Sequence, residues 1–162
     1  MSIVQYGLYF ISDDFFIDFA GTGLKDNKEE KRPHYFCITD SKKGLMWVIP
    51  FTSSEDKIAL MNKKFAEGKY DLFHPSCVGG RQGVLLIADA FPVTEKYFIQ
   101  EYTVDGIHYI YKDNSVINVI HGKFSKILAL KRRGVNFTGT DPDVFTIERH
   151  LLNGTTMVKP KK

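Results

Sequence analysis

The chain is short of most features that announce an enzyme class. Its 162 residues include only two cysteines, Cys37 and Cys77, which form no CxxC pair and stand beside apolar neighbours. That arrangement points to two buried, reduced thiols rather than a disulfide framework or a zinc site. No GxxxxGK[ST] and no HExxH is present, so nucleotide hydrolysis and zinc chemistry lack their usual carriers. No run approaches the ~18 consecutive apolar residues of a membrane span, and the N-terminus lacks the basic-then-apolar layout of a secretory signal. The expectation is a soluble cytoplasmic protein without a membrane partner. Net charge is only +3, too little to separate a nucleic-acid binder from an ordinary protein. Repeats and low-complexity segments are also missing. One further absence is local: between Asn114 and Thr140 there is no acidic residue.

What is present is apolar and aromatic. At 43% hydrophobic and 14% aromatic, the composition suffices for one core, and residues 1–162 are expected to form a single domain with a basic tail fraying from about residue 155. Residues 3–11 and 34–39, dense in β-branched and aromatic types, read as strands. After the turn "DSKKG" the run "LMWVIPF" continues as a buried strand, with Lys42 and Lys43 at the hairpin tip. The period then becomes helical, with Ile58, Met61 and Phe65 on one stripe, Ser53 or Ser54 as cap and Gly68 as stop. Further strands are predicted at 83–89 and on both sides of Asp105-Gly106. A long helix is predicted over 115–133, despite Gly122, and a last one is predicted to open at Asp141-Pro142 and run to Asn153. The uneven order of elements predicts an α+β fold with a twisted antiparallel sheet flanked by helices.

Chemistry concentrates at "PFTSSEDK", residues 50–57. A capped helix start explains the hydroxyls, but Lys57 stands in the first turn, where the helix dipole disfavours a cation by about 0.3–1 kcal/mol. A bound anion resolves that: Thr52 and Ser53 hydroxyls, the open N–H groups of the helix start and Lys57 suit one phosphate. His34 opens the strand whose hairpin partner ends at Thr52, so pairing brings the two ends together. The remaining histidines fall at unrelated spacings and read as ordinary surface or core residues. Asp13, Asp14 and Asp18 read as a solvated acidic face, and "GGRQG" at 79–83 as a turn, although its N–H groups and Arg81 could also greet an anion. Lys123, Lys126, Lys131, Arg132 and Arg133 on the long helix, together with Lys63 and Lys64, read either as a solvated face or as a path for RNA. The anion site and basic surface alone are satisfied by a non-catalytic RNA-binding module.

The stretches "YFIS" (9–12), "PHYFCI" (33–38), "PFTSSEDK" (50–57), "QGVLLIADAFPV" (82–93), the helix at 115–133 and "VFTIERHLL" (144–152) occur in the order found in one known group. In this the sequence resembles the ToxN/AbiQ endoribonucleases of type III toxin-antitoxin systems, nearest the CptN or TenpN branches. The resemblance implies a fold related to MazF/Kid-type toxins and metal-independent RNA cleavage without a cofactor. It also implies cellular or phage RNA as substrate and inhibition by a structured, pseudoknot-like antitoxin RNA, processed from a repeat precursor and held in a closed protein–RNA assembly. Growth inhibition and abortive phage defence would follow. The family's Thr-Ser pair falls on Thr52 and Ser53 and its following lysine on Lys57. Its strand-opening lysine meets His34 instead, which takes the role of base or acid, and an aromatic that offers a hydroxyl in the family meets Phe15. Lys42, Lys43, Lys63, Lys64, Arg81, Lys123, Lys126, Lys131, Arg132 and Arg133 form the expected RNA-binding set. A MazF-like ribonuclease toxin inhibited by a protein is the remaining alternative.

Overall fold

The computed structural model describes residues 2–24, 34–40, 43–137 and 141–157. Its centre is a sheet whose strands all pair antiparallel. The strands are β1 (Leu8–Ile11), β2 (His34–Asp40), β3 (Leu45–Thr52), β4 (Phe73–Val78), β5 (Arg81–Leu86), β6 (Phe91–Val93) and β7 (Phe98–Glu101), in the order β4-β5-β3-β2-β1-β7, with β6 also on β3. A 3-10 turn at Ile87–Asp89 bends the chain between β5 and β6. As a result, β5 pairs with the end of β3 at Phe51 and Thr52, and β6 with its beginning at Met46–Val48. A separate two-stranded hairpin, β8 (Thr103–Val104) and β9 (Ile107–His108), turns at Asp105 and Gly106, both with positive φ, as a tight hairpin turn requires.

Among the described residues four helices accompany the sheet: α1 (Asp13–Asp18), α2 (Glu55–Ala66), α3 (Asn114–Arg132) and α4 (Val144–Asn153). Each apolar stripe supplies the core: Met61 from α2, Ile117, Ile120, Phe124 and Ile127 from α3, Val144 and Ile147 from α4. Burying so many branched and aromatic side chains, at about 25 cal/mol per Å² of apolar surface, is the main force holding these layers together.

Several expectations need correction. The first strand starts at Leu8 rather than residue 3, because Tyr6 adopts a positive φ (68°) and the Val4 N–H turns back to the Tyr9 hydroxyl at 2.6 Å. β4 was not expected at all, and β5 runs 81–86 rather than 83–89. The last helix is capped by Asp143, whose carboxylate accepts the Thr146 N–H at 3.3 Å. Asp141 instead accepts the Phe137 N–H at 2.8 Å and faces Lys131. Cys37 is buried and its thiol pushed up to about 12 by burial, whereas Cys77 is exposed. Met157 N–H bonds the Asp18 carbonyl at 2.9 Å, and 158–162, most of the segment expected to fray, lie outside the described residues. No helix among the described residues is long and apolar enough to cross a membrane.

Candidate active site

β3 ends at Thr52 and α2 begins at Glu55, so two residues make the turn within "PFTSSEDK". Thr52 Oγ1 accepts the Ser54 N–H at 3.1 Å and thereby shapes the turn. Ser54 stands at the N-cap position, but its side chain makes no capping bond. The first turn of α2 therefore presents backbone N–H groups that no N-cap side chain occupies, the condition under which an anion is welcome. Ser53 does something the sequence did not show: its Oγ accepts a hydrogen bond from Arg81 Nη2 at 2.6 Å. Lys57, half-buried, completes the turn.

Arg81 arrives because β4 and β5 form a hairpin closed by Gly79 and Gly80, both with positive φ. "GGRQG" is thus the turn expected of it, and it also delivers a guanidinium to Ser53. Register explains the convergence. Phe51 pairs with Leu85, Leu85 with His74, Gly83 with Ser76, and Arg81 with Val78. Directly paired side chains share a face, so Phe51, His74, Ser76 and Arg81 all project from one side of the sheet. Gly83, the partner of Ser76, lies against the end of β3, and a Cβ there would collide with the Phe51 ring and the Thr52 carbonyl. Only glycine lets β3 and β5 approach so closely at this point.

His34 pairs with Phe51, so its backbone stands next to the site as the hairpin geometry required. Its side chain lies outside the described residues, as does Lys42. Phe15 is fully buried and stacks on Phe91 at 5.2 Å between centroids, a core residue.

The basic set disperses. Lys131 is buried, donates to the Ala88 carbonyl at 2.5 Å and lies 3.6 Å from the Asp141 carboxylate. Arg132 forks onto both oxygens of Glu148 at 3.3 and 3.1 Å and lies over the Phe145 ring. Lys126 pairs with Asp71 at 2.6 Å, Lys64 with Glu67 at 3.9 Å, and Lys43 reaches Glu148 at 3.9 Å. Lys123 donates to the Phe73 carbonyl at 2.8 Å and sits over Phe65. The acid-free stretch of sequence is therefore not an unpaired cationic face, since its counter-charges come from Asp71, Asp141 and Glu148 elsewhere in the chain. Lys63 and Arg133 remain exposed.

Three histidines have local partners: His108 touches the Leu8 carbonyl at 2.9 Å and Glu101 at 3.3 Å, His150 bonds Thr155 Oγ1 at 2.7 Å, and His121 meets Tyr6 edge-on. His74 is different. Its Nδ1 is buried without a partner, and burial, reinforced by the Lys123 charge, lowers its pKa to about 4. Beside it Ser76 Oγ and the Tyr111 hydroxyl share a short hydrogen bond, and burial pushes Tyr111 up to about 12. Sequence reasoning missed this group with the strand that carries it, although the Gly79-Gly80 dipeptide before a predicted strand was a hairpin signal that demanded a strand upstream. Asp13 and Asp14 open α1, Asp18 accepts the Tyr97 hydroxyl at 2.7 Å, and no group of three metal-binding side chains gathers among the described residues.

No known family model matches the chain, and a search of curated proteins finds no significant match.

Proposed function

We propose that this chain is a metal-independent endoribonuclease, the toxin of a type III toxin-antitoxin system with a ToxN-like fold, as the colinear motifs suggest. The observation that carries the reading is the Arg81–Ser53 hydrogen bond beside the N-terminus of α2, which lacks a capping side chain and has Lys57 in its first turn. Two cations, a hydroxyl and open N–H groups around one helix start suit a single phosphodiester.

In the proposed reaction the ribose 2′-oxygen forms a bond to phosphorus while the bond to the 5′-oxygen breaks. A base takes the 2′-proton, and an acid returns one to the leaving oxygen. The ends are a 2′,3′-cyclic phosphate and a 5′-hydroxyl. His34 is the proposed proton-transfer group, beside Phe51 at the end of β3. Ser53 and Arg81 orient the phosphoryl oxygens, Lys57 stabilises the charge that develops on them, and Thr52 holds the turn that places Ser53. Inhibition follows if a folded antitoxin RNA, made from the toxin's own repeat precursor, occupies the same groove within a closed assembly.

The test is cleavage of a labelled RNA by purified protein in excess EDTA, with the new ends identified chemically. Cleavage to cyclic-phosphate ends is expected to persist, and replacing Ser53 and Arg81 together by Ala should slow it by about a hundredfold or more. Ends bearing 5′-phosphate, or activity lost on chelation and restored by Mg²⁺, would overturn the reading.

A further inference from the structure

A cavity of about 300 Å³ opens beside β4, against residues 109–113 and the start of α3. Its size is at the small end for ligand sites, enough for one ring system rather than an extended molecule. β4 is the last strand on its side of the sheet, so its outer backbone groups are not taken by a neighbouring strand. Two of its outward carbonyls are used: that of Phe73 by Lys123 at 2.8 Å and that of Cys77 by the Tyr109 hydroxyl at 3.2 Å. Alternation turns the Pro75 carbonyl and the Cys77 N–H to the same side, an acceptor and a donor facing the cavity. Side chains add the unpartnered His74, the Ser76–Tyr111 hydroxyl pair and the ring of Tyr109.

We propose that this cavity binds one nucleobase of the RNA, next to the phosphate held at Ser53 and Arg81. The proposal rests on the endoribonuclease reading and deepens it by locating where sequence is read. Four features select a base. The wall offers aromatic faces for stacking together with several neutral donors and acceptors, the combination by which unpaired bases are recognised. His74 lines the cavity and is neutral at cellular pH, and its Nδ1, closed off in this conformation, could accept from an amino or imino group once the ring turns toward the cavity. An orphaned polar atom is costly unless a partner arrives, so a ligand that satisfies it gains affinity and selectivity together. Finally, the two places are near in the sheet: Ser76 pairs with Gly83, whose missing Cβ would meet the Thr52 carbonyl, so the cavity lies one strand away from the end of β3 that leads into Ser53.

Cys77 supplies a reporter, being exposed in the cavity wall, while Cys37 is buried and serves as internal control. The experiment follows iodoacetamide alkylation of Cys77 by mass spectrometry in the presence of 2′-O-methyl hexaribonucleotides, which lack the attacking hydroxyl and remain intact. Binding is followed in parallel by fluorescence anisotropy. At least one hexamer should slow Cys77 alkylation threefold or more. Removing a single base from it should restore the free rate and weaken binding about tenfold. His74→Leu, and independently Ser76→Gly, should bind the intact and abasic hexamers with nearly equal affinity. Hexamers that bind while Cys77 reacts at its free rate would overturn the base site alone and leave the open edge of β4 for an added strand of protein. If no hexamer binds, the RNA reading falls and the base site with it.

Discussion

At the scale of single residues, His74 links burial to acid sensitivity. Its pKa in the folded chain, about 4, lies below its ordinary 6.5, first because the ring is buried and second because the Lys123 ammonium is near. The unfolded chain therefore takes up this proton first as pH falls. The stability that His74 contributes is complete above pH 6.5, is lost between 6.5 and about 4, and changes no further below that. Solvent screening reduces the effect to about 1–2 kcal/mol. Urea unfolding of the parent and of His74→Gln at pH 7 and pH 4 checks this: the parent should lose that much more stability than the variant. Arg81 teaches a related lesson. Nothing in its sequence neighbourhood points to Ser53, 28 positions away, because the contact is made by strand register.

At the scale of elements, the last turn of α3 is an anchor. The side chains of Lys131 and Asp141 are each only 7% exposed, and burial lowers the lysine pKa while Asp141 and Asp89 oppose the shift. Removing one partner of such a pair strands a charge away from water, at a cost of about 3–5 kcal/mol. Asp141→Ala should lower unfolding free energy by about 3 kcal/mol, whereas Lys131→Met, which keeps the apolar stem and removes the charge, should cost less. Denaturant titrations of the two variants decide it, and equal costs would argue against the pair. Elements with strong local signals were legible in the sequence: β2, β3, α2 and α3 all lie within a residue or two of expectation, and the Asp105-Gly106 turn is where it was expected, although its strands are only two residues long because 98–101 pairs with β1. β4 was not, because "FHPSCV" lacks the β-branched density of a strand, and its proline is tolerated on an edge. Asp141 has the composition of a helix cap, but a buried cation from another helix claimed it.

At the scale of the whole molecule, charge has to be counted after pairing. Lys126, Lys131 and Arg132 each meet a carboxylate, so they contribute less to an RNA surface than their sequence spacing implies. Each phosphate contact with single-stranded RNA contributes about 0.7 to the slope of log affinity against log salt. Replacing Lys57 and Arg81 by Ala should flatten that slope by roughly one to two units, while Lys126→Ala with Arg132→Ala should change it by less than about one. A salt series by anisotropy separates the two, and the reverse ranking would move the RNA to α3. The surroundings of Ser53 were half legible, since "TSSEDK" named the turn while the Arg81 guanidinium on it came from a distant hairpin. Sheet order also sets a timetable. β1 lies between β2 and β7, and Tyr9 pairs with Glu101, so the N-terminal strand waits for a partner about ninety residues later. The stretch from β3 through β5, which carries Thr52, Ser53, Lys57 and Arg81, leaves the ribosome earlier. A nascent chain would thus hold the turn at 52–57 and the hairpin that brings Arg81 to it before the wall at 109–113 exists.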